Sequence, residues 1–247
     1  MRLIISPAKK MNAAPDVLEF QGYPEFLEDT DILRRYISGL SYGDAKALWK
    51  CNDAIAEQNF ERFRDMDLRR NLTAAIVAYE GIQYQYMAPT VMDRDALDYI
   101  QEHLRILSGF YGILKPLDGV VPYRLEMQAK ANVDGHKNLY SFWGKRLAET
   151  LFSETDTIIN LASKEYSKCI SAHLTPEITF ITCVFGEYVN GKVVEKGTYA
   201  KMARGEMVRF LAEQKAETPE VMKQFDRLGY VYDADASDEK TYVFIKK

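Results

Sequence analysis

Cysteine is too scarce in this chain to staple anything together. Cys51, Cys169 and Cys183 are odd in number, widely spaced and never arranged as C-x-x-C. That argues against a disulfide framework and against a zinc site. His103, His136 and His173 are equally scattered, so no metal-ligand spacing is present. There is no G-x-S-x-G elbow, no Walker A loop, no G-x-G-x-x-G after a strand and no H-E-x-x-H. No catalytic residue is therefore assignable, and no cofactor or metal is called for. Long apolar runs are missing too: none approaches a membrane span, and Met-Arg-Leu-Ile-Ile-Ser-Pro is too short for a signal peptide. The reading is a soluble, cytoplasmic protein of a reducing compartment, with no membrane partner. Excess positive charge is also lacking, since 32 Lys and Arg against 36 Asp and Glu leave −4. A general polycation coating nucleic acid is excluded, which leaves a local basic cleft on an acidic body. The charge is uneven: Arg2, Lys9 and Lys10 have no acid among them up to Asn12, whereas Glu217–Glu239 is strongly acidic.

What is present is ample core material, 47% hydrophobic residues over 247 positions, without repeats, low-complexity runs or a linker. Leu3–Ile5 reads as a buried first strand ended by Ser6-Pro7. Asp31–Ile37 reads as a short helix. Ser41 with Asp44 fits a capping box before helical spacing that runs to Phe63. Thr73–Ala78 reads as a strand, and Asp93 as the cap of a helix continuing through Leu107. A helix is expected over Leu139–Leu151, a strand over Thr157–Leu161, and a helix including Tyr166 after it. Asn190-Gly191 between two apolar runs signals a hairpin with a type I′ turn. Helices are expected at Ala200–Lys215 and after Thr218-Pro219, then two antiparallel strands at Tyr230–Tyr232 and Tyr242–Ile245. Strands and helices mix throughout. The fold class is therefore α+β (mixed α/β): one domain over residues 1–247, with a mixed sheet surrounded by helices.

The stretch His103–Met127 stands out. It is apolar yet broken by Gly109, Gly112, Gly119, Pro116 and Pro122, and punctuated by Arg105, Lys115 and Arg124. Glycine permits close backbone approach and proline stiffens a turn. The segment reads either as a buried turn presenting Arg105, Tyr111 and Arg124 to an anionic ligand, or as a hydrophobic helix, a turn and a short strand with incidental basic residues. Two further basic or polar turns follow apolar strands: Ser6-Pro7-Ala8-Lys9-Lys10, and Asn160-Leu161-Ala162-Ser163-Lys164-Glu165-Tyr166. Loops beyond the carboxyl ends of strands are where α/β sheets bind anions. A fourth candidate is Tyr199–Glu206, where Lys201 and Arg204 share a helix face and Gly205 reflects either a close approach of backbone or ligand or a tolerated glycine on a solvated face. Arg124 and Glu126 share one face if extended, and an internal ion pair is the use expected of Glu126.

Several ordered motifs run across the chain: Ser6-Pro7-Ala8-Lys9, Leu104 through Tyr111-Gly112, Pro116-Leu117-Asp118, and Pro122-Tyr123-Arg124-Leu125-Glu126-Met127. Leu139-Tyr140 with Phe142-Trp143-Gly144, Ile159–Ser163 with Glu165-Tyr166, and Lys201 with Ala203-Arg204-Gly205 complete the set. Together they resemble the YaaA family of peroxide-stress proteins. The resemblance implies a cytosolic bacterial protein that limits free iron and damage when peroxide rises. It also implies a fold unlike the common superfolds, and DNA binding without sequence specificity through a basic cleft. A helix-hairpin-helix-like element is expected near 104–115, the motif most like it being Leu107-Ser108-Gly109-Phe110-Tyr111-Gly112. Such a hairpin grips backbone phosphates through amides. The partner would be double-stranded or locally unpaired DNA, contacted by Lys9, Lys10, Arg105, Arg124, Lys164, Lys201 and Arg204. The alternative is an enzyme acting on a phosphate-bearing, nucleotide-like small molecule in the same cleft, with Ser163, Tyr166 and Glu126 nearby.

Overall fold

In a computed structural model covering residues 1–247, the first strand is β1 (Arg2–Ile5), in which Leu3, Ile4 and Ile5 expose nothing. A continuous apolar run is what a parallel strand covered on both faces needs. A two-residue strand β2 (Lys10–Met11) follows, then α1 (Leu27–Ser38), longer than its expected core and burying Leu27, Leu33 and Ile37. Between Ser41 and Phe63 there are two helices instead of one. Ser41 caps α2 (Tyr42–Trp49), accepting from Asp44 N at 3.2 Å. Lys50 then turns left-handed at φ 46°, and Asn52 caps α3 (Asp53–Arg64).

The strand expected over Thr73–Ala78 is instead β3 (Thr73–Ala74) followed by a single turn α4 (Ala75–Ala78), and β4 (Tyr79–Glu80) comes after it. β4 pairs antiparallel with β2 and sets Lys10 opposite Glu80. Next come α5 (Ile82–Met87) and α6 (Arg94–His103), the latter capped by Asp93, which accepts from Ala96 N at 2.8 Å. α6 ends at His103, short of Leu107. Leu104–Ser108 is β5 and Gly112–Leu114 is β6, antiparallel, with Ser108 opposite Gly112. The helix-hairpin-helix-like element expected near 104–115 is thus a β-hairpin. The reason is burial: every residue of β5 is enclosed, and its backbone is paired with β1 on one side and β6 on the other. Gly112, at φ +75°, makes the turn that a side chain would strain.

β7 (Gly119–Val120) pairs with β3. The expected helix over Leu139–Leu151 is broken at Gly144 into α7 (Leu139–Trp143) and α8 (Arg146–Glu154). β8 (Thr157–Leu161) leads into α9 (Lys164–Ser171). β9 (Thr179–Val189) and β10 (Lys192–Val194) form the expected hairpin, with Asn190 and Gly191 at φ 50° and 74°. After α10 (Gly197–Glu213), Pro219–Gln224 forms a 3-10 turn. The chain ends in the expected antiparallel pair β11 (Tyr230–Asp233) and β12 (Thr241–Lys246).

The main sheet runs β11-β12-β9-β8-β1-β5-β6, with β10 paired to β9. Its five central strands, β12 to β5, are parallel, and the edge strands β11 and β6 are antiparallel. The sheet is mixed and surrounded by helices around one continuous apolar core. α10 reaches that core through Gly205, where a Cβ would collide with the Gln83 carbonyl oxygen of α5 and come within 2.9 Å of Met87 N. The close approach expected at Gly205 is therefore made by backbone. No helix is long and apolar enough to cross a membrane.

Candidate anion-binding site

Three serines stand at the carboxyl ends of adjacent parallel strands: Ser6 after β1, Ser108 at the end of β5, and Ser163 after β8. Ser6 Oγ accepts from Ser163 N at 2.8 Å and donates to Ser163 Oγ at 3.2 Å. Tyr84 Oη donates to the Ser6 carbonyl at 2.9 Å. Ser108 Oγ accepts from Phe110 N at 3.1 Å and Tyr111 N at 2.9 Å, closing the β5–β6 turn. It also bonds Tyr123 Oη at 2.6 Å, which in turn bonds Tyr79 Oη at 2.8 Å. Burial pushes the Tyr123 phenol up to about 12 and the Tyr79 and Tyr84 phenols well above their ordinary range, so this floor is uncharged.

Gly109 sets the next layer. A Cβ there would lie 2.7 Å from the Leu125 carbonyl oxygen, so Leu125–Met127 is laid directly across the hairpin turn. That contact fixes the flanking Arg124 and Glu126. Glu126 Oε1 pairs with Arg124 Nη2 at 3.0 Å, as expected, and Oε2 pairs with Lys9 Nζ at 2.9 Å. The Arg124 side chain is 11% exposed and its Nε is buried without a hydrogen-bond partner. A buried donor left unpaired is costly, which makes this guanidinium receptive to an anion.

Arg124 and Glu126 line two small clefts. One, of about 10 Å³, is bounded by Pro7, Lys9, Tyr123 and Tyr166. The other, of about 40 Å³, lies against Trp49, Lys50 and Gln128. Glu165 accepts from Gln128 N at 3.2 Å; burial, and then the nearby charge of Glu126, raise its carboxyl above the ordinary range. Burial raises the Tyr166 phenol far more, with smaller contributions from Tyr123 and Glu165. Lys164 opens α9 and is exposed, with no acidic partner within ion-pair distance. The arrangement suits a planar guanidinium and two lysines engaging phosphate oxygens.

The structure brings Lys9, Ser108, Gly109, Arg124, Ser163, Lys164 and Tyr166 to this end of the sheet. It sends the others elsewhere. Lys10 faces outward and pairs with Glu80 at 2.7 Å. Tyr111 is fully buried, its hydroxyl accepting from Val121 N at 3.0 Å. Asn160 is buried within β8, its side-chain oxygen accepting from Ala162 N at 3.0 Å. Lys201 and Arg204 lie on α10, where Arg204 pairs with Glu195 at 3.2 Å.

Arg105 is at the opposite, amino end of the strands. It pairs with Glu154 at 2.6 Å and donates to the carbonyls of Glu102 at 2.9 Å and Leu104 at 2.8 Å, closing the end of α6. Arg2 shares Glu154 at 2.8 Å. Burial opposes the Glu154 charge, but hydrogen bonds from Arg105 and Arg2 hold its carboxyl below the usual range. Beside them a cavity of about 220 Å³ contains Asp118. Burial pushes the Asp118 carboxyl up to about 6, against the opposing Lys115 N–H bond at 2.8 Å. No group of three or more His, Cys, Asp or Glu side chains is placed to hold a metal ion.

Sequence reasoning missed Ser6 as a partner of Ser163, the reach of Lys9 to Glu126, and the Tyr79–Tyr123–Ser108 chain. The matching strand–serine endings at Ser6 and Ser163 were the available signal for the first. The others depend on packing across the sheet.

Comparison with known proteins agrees over the whole length. The profile of the family described as peroxide stress protein YaaA matches residues 1–236. A UPF0246 protein of Lachnoclostridium phytofermentans is 58% identical over 246 residues, covering 100% of this chain and 96% of the relative. One from Agathobacter rectalis is 53% identical, with 100% and 99% covered, and one from Pediococcus pentosaceus is 50% identical, with 100% and 98% covered. The strand-end serines, the Pro122–Met127 segment and these matches together make the chain a member of the peroxide stress protein YaaA family.

Proposed function

We propose that this protein serves the peroxide stress response by binding DNA without reading its sequence, through phosphate contacts at the carboxyl-end cleft, and that it thereby limits iron-dependent damage. The family's name supports the peroxide-stress role. The observation that carries the DNA reading is Arg124, a mostly buried guanidinium with an unpaired Nε beside clefts too small to enclose a ligand. Pockets that enclose a small molecule run to roughly 300 Å³ or more. The clefts at Arg124 hold about 10 and 40 Å³. Such a surface favours an extended phosphate backbone passing over it, with exposed Lys9, Lys50 and Lys164 at its rim. The reading places protection on the nucleic acid, because no donor cluster supports direct iron chelation.

The test is fluorescence anisotropy with labelled duplex and bubbled DNA at two salt concentrations. Affinity is expected to fall steeply with salt. Arg124→Ala is expected to weaken binding about tenfold on any sequence and to reduce the salt slope by about one. Weak binding that is indifferent to Arg124→Ala removes this reading. The enzymatic alternative rests on Tyr166, which lines the smaller cleft with Arg124 and Glu126; stabilisation of the protein by a nucleotide in a thermal-shift screen would favour it.

A further inference from the structure

Glu126 stands where a bound anion would stand. Its two oxygens are divided between cations from separate parts of the chain: Lys9 at 2.9 Å, from the loop between β1 and β2, and Arg124 at 3.0 Å, from the segment after β7. A phosphate bridging two basic residues divides its oxygens in the same way. The match is incomplete on one side. Glu126 reaches only the Nη2 of Arg124, and Nε remains buried without a partner, so half of the guanidinium fork is unused. In this arrangement one Glu126 oxygen is taken up by Arg124 Nη2 and the other by Lys9, and neither reaches Nε. Linked phosphates have oxygens enough for Nε, Nη2 and Lys9 together.

The tether gives Glu126 a high effective concentration at this site. A monovalent anion that displaces it exchanges one carboxylate for one equivalent contact and also loses its freedom of motion. An anion with several linked phosphates completes the fork and gathers the rim lysines as well. We propose that Glu126 is a specificity-determining residue, an internal carboxylate that fills the phosphate subsite of Lys9 and Arg124 and yields it only to polyvalent phosphate. The inference rests on the reading of this cleft as a phosphate site. It adds the ligand class and the device that rejects simple anions. Glu165 lies close enough to Glu126 and to Lys9 for their charges to interact, yet it forms no ion pair and instead accepts from the Gln128 amide. It therefore supplies an internal control for charge alone.

The experiment compares the full-length wild type with E126Q, E126D and E165Q. Labelled duplex is followed by anisotropy, and inorganic tripolyphosphate and orthophosphate by thermal shift. E126Q is expected to bind duplex and tripolyphosphate about tenfold more tightly, and to gain binding of orthophosphate that the wild type lacks. E126D keeps the charge but shortens the reach, so it should move in the same direction; it carries the test if E126Q does not fold. E165Q makes the same change in net charge and should alter affinity less than about threefold. Equal or weaker anion binding by both Glu126 variants overturns the proposal, as does an E165Q effect as large as that of E126Q. If duplex binding is absent throughout while tripolyphosphate binds E126Q more tightly than wild type, the DNA reading fails and the role of Glu126 stands.

Discussion

Ser6 and Ser163, far apart in the chain, hold each other at the ends of neighbouring parallel strands: Ser163 N donates to Ser6 Oγ at 2.8 Å and the two hydroxyls lie 3.2 Å apart. The pair locks the loop carrying Lys9 to the start of the helix carrying Lys164, Glu165 and Tyr166. Ser6→Ala removes the acceptor for a partly buried amide. The expected cost is about 1 kcal/mol in urea denaturation, together with a loss of duplex affinity that Ser153→Ala, at an exposed hydroxyl remote from the cleft, does not show. Equal effects of the two variants on affinity would assign Ser6 to stability alone.

Asp118 gives the protein an unusual acid response. Its carboxyl lies at about 6 when folded, against an ordinary value of 3.8. Between those values the folded state binds the proton more readily than the unfolded state. This group's contribution to stability is therefore fully present below about 4 and is lost as pH rises through about 6. Asp118→Asn imitates the protonated form. It is expected to be more stable than wild type by up to about 3 kcal/mol near pH 8, with the difference closing toward pH 4. Urea denaturation across that range checks it. A difference that stays constant with pH would mean that Asp118 titrates normally.

Glu154 neutralises Arg105 and Arg2 at the amino end of the sheet. Glu154→Ala leaves a nearly fully buried guanidinium without its counter-charge, with an expected loss of about 3 kcal/mol. Because this cluster is at the far end of the strands from Arg124, duplex affinity measured well below the melting temperature is expected to be unchanged. A fall in affinity comparable to that of Arg124→Ala would bring Arg105 into the binding surface.

Local chemistry was legible wherever a few adjacent residues decide the outcome. Asn190-Gly191 supplies two positive φ angles, and the caps at Ser41 and Asp93 each meet their amide. The interior strand β5 was not legible, because Leu104, Ile106 and Leu107 fit a buried helix and a buried strand alike. Only its pairing with β1 separates the two. The same limit governs the site. Arg105 and Arg124 are both basic residues in an apolar stretch, yet one begins a parallel strand and the other lies beyond the strands' far end, with the whole sheet between them. Arg124 with Glu126 could be read from spacing. Lys9 on the same carboxylate could not, since it depends on how the loop after β1 folds over Gly109 and Leu125.

The contact at Gly205 reaches further than helix packing. By letting α10 lie backbone to backbone on α5 at Gln83, it sets the height of the next residue, Tyr84, whose hydroxyl supports the Ser6 carbonyl from below. α10 is thus a shim under the floor of the cleft. A thicker residue at position 205 would lift that floor and misalign Lys9 and Ser163 while touching neither, so a position remote from any ligand is part of the tolerance to which the site is built.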